Sequence, residues 1–164
     1  MENKISTCSK LMADKGLTIA FAESATAGWL CSEFALTEES GRVLKGGIVC
    51  YDADLKVSLL GVPRELIGQF TPESMEVTRK MAYRLRELIA SDIQVAVTGL
   101  TTPGGSETPE KPVGTMFVAV LIQGHQAAFR KVFRGSCEEI IHQTIEATAE
   151  LLIRELNKVQ AVIG

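Results

Sequence analysis

Ser24, Tyr51 and Lys56 bring a hydroxyl, a phenol and an amine to the ends of two short apolar runs, and residues 99–111 form a stretch rich in Gly, Pro, Thr and Ser. A serine hydroxyl is a weak nucleophile until a neighbouring base takes its proton. Neither His125 nor His142 falls beside a candidate nucleophile, so a Ser-His-Asp triad has no support. A lysine can replace the histidine where burial and nearby groups lower the pKa of its amine, and Lys56 is the natural candidate. Each residue also has an ordinary reading: Ser24 as a helix N-cap, Lys56 as a solvated helix lysine, Tyr51 as a strand aromatic with its hydroxyl at the rim. Pro103-Gly104-Gly105-Ser106 lacks the Gly-Lys-Ser or Gly-Lys-Thr of a Walker A loop, which removes any basis for nucleoside triphosphate hydrolysis. Its glycines do permit a nest of backbone N–H groups aimed at a phosphate or an oxyanion, and a plain flexible turn is the simpler alternative.

The elements that must position these groups are legible as periodicities. Ile5, Cys8, Leu11 and Met12 fall at helical spacing, and Lys15-Gly16 closes that helix. Residues 17–22 form a short apolar strand, residues 23–28 a junction of small residues, and Trp29, Leu30, Glu33 and Phe34 a second helical pattern. After a turn-rich segment at 37–41, residues 46–51 predict another strand, and Asp52 opens a short helix that carries Lys56 and stops near Gly61-Val62-Pro63. Thr71 as N-cap, Pro72 at the first helical position and Glu73 in the first turn start a helix that runs to about Ala90. A strand at 92–98, the loop at 99–111, two strands at 114–122 and 126–133 around Gln123-Gly124-His125, and a long helix opened by a Ser136–Glu139 capping box complete the chain. The order predicts an α/β fold: a three-layer α/β/α sandwich with a mixed, mainly parallel sheet of about five strands. In such folds ligands gather at the carboxyl ends of strands, so residues 23–28, 51–56 and 98–111 are expected to meet there.

Composition bounds the function. The 164 residues are 46% hydrophobic and 23% charged, with no internal repeat, linker or composition break, which predicts one domain over residues 1–164. A net charge of −3 supplies no global field for nucleic acid or anionic lipid, so neither is an expected partner. Cys8, Cys31, Cys50 and Cys137 lie far apart without a CxxC pair, which argues against a metal site and for reduced core residues in a reducing compartment. The N-terminal residues carry no long apolar leader and no run of about eighteen apolar residues occurs, so the expected location is cytoplasmic. Homo-oligomers are expected, with Trp29 or Phe34 as exposed apolar contributors.

Ala22-Glu23-Ser24-Ala25-Thr26-Ala27-Gly28, Gly47-Ile48-Val49-Cys50-Tyr51-Asp52 with Lys56 and Leu60-Gly61-Val62, and Pro109-Glu110-Lys111-Pro112-Val113-Gly114-Thr115 together resemble the CinA C-terminal domain family. The resemblance spans nearly the whole chain, and characterised enzymes of that family are nicotinamide mononucleotide deamidases. It implies an amidohydrolase that converts nicotinamide mononucleotide and water to nicotinate mononucleotide and ammonia, with no metal or other cofactor. On that template Ser24 is the nucleophile, Lys56 the base that later protonates ammonia, and Tyr51 an orienting or relaying group. Glu23, Thr26 and Gly28 at the junction, Thr98, Gly99, Pro103, Gly104 and Gly105 in the Gly-rich loop, and Lys111 are the substrate-binding candidates.

The chain departs from the family pattern in places. Ala25 and Ala27 stand where the family commonly reads Cys and Gly, and Ala27 is strained if that position needs a positive φ. Thr102 stands for a Gly, which either blocks a left-handed conformation or narrows the pocket, and the loop beyond it is one residue longer. Gly135-Ser136-Cys137 replaces a usual Gly-Asp-Arg and Ile140-Ile141 a usual Val-Arg, leaving Lys111 or Arg134 to supply any lost cationic contact. These changes keep two alternatives open: a non-catalytic nucleotide-binding or protein-interaction member, and a Ser/Lys amidohydrolase with a different amide substrate.

Overall fold

Alternating strand residues serve two different apolar faces, and that alternation builds the layers. The computed structural model describes residues 3–160. In chain order the elements are α1 (Lys4–Lys15), β1 (Ile19–Glu23), α2 (Trp29–Ala35), α3 (Ser40–Val43), β2 (Leu44–Val49), α4 (Ala53–Ser58), α5 (Arg64–Phe70), α6 (Met75–Leu88), β3 (Ile93–Gly99), β4 (Thr115–Ile122), β5 (His125–Val132) and α7 (Cys137–Leu156). Ile19, Phe21, Val95, Val97, Val118 and Val120 face one core, shared with α1, α2 and α7. Ala20, Ala22, Ala96 and Ala119 point the other way, and their small side chains let α6 lie close to the sheet through Val77, Met81 and Leu85. Helices therefore cover both faces of the sheet, giving the three-layer α/β/α arrangement.

The five strands are ordered β2-β1-β3-β4-β5. β1 pairs in parallel with both β2 and β3, while β3–β4 and β4–β5 are antiparallel, so four strands point one way and β4 alone opposes them. The antiparallel part is thus larger than the single hairpin expected. From β1 the chain steps to β2 on one side, then crosses through α4, α5 and α6 to β3 on the other. This reversal opens a crevice at the carboxyl end of β1, where ligands bind in open α/β sheets.

Local chemistry explains most boundaries. Gly16 closes α1 in a left-handed conformation at φ 70°, and Ser136 and Glu139 form the reciprocal capping box of α7. Gln123 and Gly124, at φ 46° and 82°, make a two-residue hairpin turn, with His125 already in β5. The segment before α6 differs from expectation. Residues 64–70 form an extra helix, Thr71 closes it at φ 72°, and Ser74 rather than Thr71 caps α6 by accepting from Val77 N. Ser40–Val43 is likewise helical where a plain turn was expected.

Two surface expectations also change. Phe34 is fully buried against Phe21, with ring centroids 5.1 Å apart, and cannot serve an oligomer face; Trp29 is half-buried. Cys8 and Cys50 are core residues, and burial pushes the Cys8 thiol up to about 12, but Cys31 is only half-buried and Cys137 is exposed on the first turn of α7. No helix among the described residues is long and apolar enough to cross a membrane.

Candidate active site

The ends of β1 and β2 bring the amine and the hydroxyl together. Backbone bonds continue one residue past each strand, from Ser24 N to Val97 O and from Cys50 N to Glu23 O, both 2.9 Å, so Ser24 is held by its neighbours on either side. Asp52 then caps α4 by accepting from Asp54 N at 2.8 Å, and this short helix turns Lys56 back under the strand ends. Lys56 is 1% exposed and Ser24 6%. Lys56 Nζ lies 3.0 Å from Ser24 Oγ, 2.9 Å from Cys50 O and 3.2 Å from Tyr51 O. Burial lowers the Lys56 pKa from its ordinary value; Cys50, Glu73 and Asp52 oppose that with smaller effects. As an ammonium Lys56 gives one N–H to each of the three oxygens, and the Ser24 hydroxyl donates to Tyr51 O at 3.4 Å; as a neutral amine it gives both N–H groups to the carbonyls and turns its lone pair to the Ser24 hydroxyl. Ser24 is no helix cap, because α2 begins only at Trp29 with Gly28 in the N-cap position.

Ser24, Tyr51 and the loop after β3 enclose an open cleft of about 200 Å³. Its walls are Ser24, Ala25, Tyr51, Glu73 and residues 99–105. Tyr51 is 57% exposed at the mouth and reaches the amine through its backbone carbonyl, not its phenol. Gly99 is required by packing: a Cβ there would stand 2.2 Å from Met116 Sδ and 2.8 Å from Thr115 O. Thr102 lies in the wall and is not among the left-handed residues, so its β-branched side chain narrows the cleft without straining the backbone.

Other candidates stand outside the cleft or are already engaged. Glu23 is buried beneath the junction, where its carboxylate accepts from Thr26 Oγ1 at 2.6 Å, Leu30 N at 2.8 Å and Cys31 N at 3.0 Å. It holds the start of α2 through the free N–H groups of its first turn, with Thr26 as part of the same brace. Gly28, at φ 93°, turns the chain into α2. Thr98 is fully buried and shares a 2.8 Å hydrogen bond with Thr78 of α6. Gly104 N and Gly105 N do point at an anion, but it is the chain's own: Glu107 accepts from them at 2.7 and 2.8 Å. Lys111 donates to Thr71 Oγ1, Ser106 Oγ and Glu73 O at 2.6, 2.7 and 2.9 Å, behind the wall, and Arg134 is exposed and does not line the cleft.

Glu73 and Glu107 are the residues that sequence reasoning passed over. Glu73 had the signature of a first-turn helix acid, and only the shift of the cap to Ser74 puts it in the extended approach to α6, against the loop. Glu107 carried no signal beyond lying two and three residues after the glycines whose N–H groups it meets.

The fold has direct counterparts among known proteins. The CinA C-terminal domain profile matches residues 1–156, and the chain belongs to this family. A CinA-like protein of Petrotoga mobilis is 40% identical over 124 residues, covering 75% of this chain and 30% of that protein. Another, of Gemmatimonas aurantiaca, is 37% identical over 142 residues, covering 87% and 33%. The chain spans about a third of the length of these curated relatives. Among solved structures, a competence/damage-inducible protein from Agrobacterium tumefaciens superposes with a TM-score of 0.85 at 28% identity, covering 96% of this chain and 98% of that one. One from Enterobacter asburiae gives 0.86 at 26% identity, covering 94% and 99%.

Proposed function

We propose that the chain is a Ser/Lys amidohydrolase that converts nicotinamide mononucleotide to nicotinate mononucleotide and ammonia. The observation that carries this reading is the 3.0 Å contact between the buried Lys56 amine and Ser24 Oγ at the cleft floor. In the first half-reaction Ser24 Oγ attacks the amide carbon while Lys56 Nζ takes its proton. Collapse of the tetrahedral species breaks the C–N bond, Lys56 returns that proton to the leaving nitrogen, and ammonia departs from an acyl-serine. Water then attacks the ester with Lys56 again as base, releasing the carboxylate and restoring the Ser24 hydroxyl. The developing oxyanion would be met by the N–H of Ala25, beside the nucleophile in the cleft wall, since Ser24 N already donates to Val97 O. Tyr51 supports the amine through its carbonyl.

Ammonia release from nicotinamide mononucleotide by purified protein tests this directly. Turnover is expected in wild type and should fall by roughly a thousandfold in both Ser24→Ala and Lys56→Ala. Unchanged release in Ser24→Ala, or none in wild type, would sink the reading. A different amide substrate is the second reading, favoured by one observation: no cationic side chain lines the cleft among the described residues, so a substrate phosphate finds no charged partner there.

A further inference from the structure

Glu73 is the one charged side chain among the described residues that line the cleft. Its carboxylate is pinned: Ser106 Oγ donates to Oε2, and Lys111 Nζ donates to Ser106 Oγ at 2.7 Å. Lys111 also bonds Thr71 Oγ1 and Glu73 O, which fixes the ammonium on the far side of the wall from the cleft. The pair is thus polarised across the wall, cation behind and anion in front. Oε1 lies toward Gly105, 4.0 Å from where a Cβ on that residue would stand, and Gly105 itself lines the cleft. Glu73 and Ser24 line the same cleft of about 200 Å³, so a ring whose carboxamide is seated at Ser24 shares that cleft with Glu73. Tyr51 at the mouth adds an aromatic face, which attracts cations through its quadrupole.

We propose that Glu73 is a specificity-determining residue, selecting amides borne on a positively charged ring over neutral amides of the same shape. The proposal rests on the amidohydrolase reading for the placement of the amide at Ser24, and goes beyond it in naming the residue that makes the selection. Attraction between a half-buried carboxylate and a ring cation in the same cleft favours the charged ligand by roughly five- to tenfold, and salt weakens it.

The test uses ligands that differ in charge and hardly in shape: the 1-methylnicotinamide cation and neutral 3-methylbenzamide, titrated into the full chain carrying Ser24→Ala so that neither is consumed. The cation is expected to bind roughly five- to tenfold more tightly at low salt. Adding Glu73→Gln, which keeps an acceptor for Ser106, should bring the two affinities together by weakening the cation while leaving the neutral amide unchanged. Adding Glu73→Asp instead should retain part of the preference. Equal affinities in the parent, a preference that survives Glu73→Gln, or failure of both ligands to bind would overturn the proposal. Absence of ammonia release from wild type would overturn the amidohydrolase reading alone, because the binding comparison does not depend on turnover.

Discussion

Lys56 has three hydrogen-bonding partners, and as a neutral amine it has two protons to give. In that form it keeps a lone pair for the Ser24 hydroxyl, and burial favours the form by lowering the Lys56 pKa from its ordinary value. If Lys56 is the base, kcat/KM should climb with pH and level off before about pH 10.4. Stability carries the same signature. A lysine whose folded pKa lies below its unfolded value binds fewer protons when folded, so its contribution is fully present above the unfolded pKa and is lost as pH falls through the folded pKa. Wild type should therefore gain stability relative to Lys56→Met as pH rises from 7 toward 10, measured as the difference between their denaturant midpoints. A difference that stays constant with pH would show that the amine is not perturbed by folding. The residue types at this site were legible in the sequence, but their state was not. Ser24 and Lys56 each fit an ordinary surface reading, and only tertiary placement by β1, β2 and α4 distinguishes a buried pair from a cap and a solvated lysine.

The junction between β1 and α2 carries backbone strain. Ala27 and Gly28 adopt φ of 50° and 93° in succession, and a left-handed conformation costs an alanine about 1 kcal/mol relative to glycine. Ala27→Gly is expected to raise stability by up to about 0.5 kcal/mol, after the entropy that glycine regains in the unfolded chain is subtracted, as read from urea unfolding midpoints. A lower midpoint would mean that the Ala27 methyl contributes packing that offsets its strain. Glu23 offsets the strain of this turn by binding the N–H groups of Leu30 and Cys31, which is why a buried carboxylate can follow directly on an apolar strand. Where alternation or capping was strong, as in Ile19-Ala20-Phe21-Ala22 or at Ser136 and Glu139, the elements could be read from sequence because local preference and burial agree. The cap expected at Thr71 gave way to Ser74 because residues 64–70 form an extra helix that Thr71 closes, and a helix of seven residues with only Leu66, Ile67 and Phe70 half-buried is too short for its periodicity to stand out. Glu107 was illegible for a different reason: a backbone nest accepts any anion within reach, and proximity in space chose the chain's own.

At the scale of the whole molecule, the site is an assembly of segments that share nothing in sequence. Ser24 follows β1, Lys56 belongs to the excursion after β2, Glu73 lies on the approach to α6, and the glycines follow β3. None of these pieces belongs to the β4–β5 hairpin, which can form from neighbouring residues alone. Pairing β1 with β3 must close a connection of some seventy residues, from Glu23 to Ile93, against some twenty for the parallel β1–β2 pair. Closing the cleft is thus a late event in folding: the β4–β5 hairpin can form while the cleft does not yet exist. On dilution from urea, secondary structure followed by far-ultraviolet circular dichroism should recover before ammonia-releasing activity, and coincident recovery would indicate that the parallel strands pair in the first step. The crossover that separates Ser24 from the loop in the chain also makes closure of the cleft a report on the parallel core, since a chain with only its antiparallel edge formed has no cleft at Ser24.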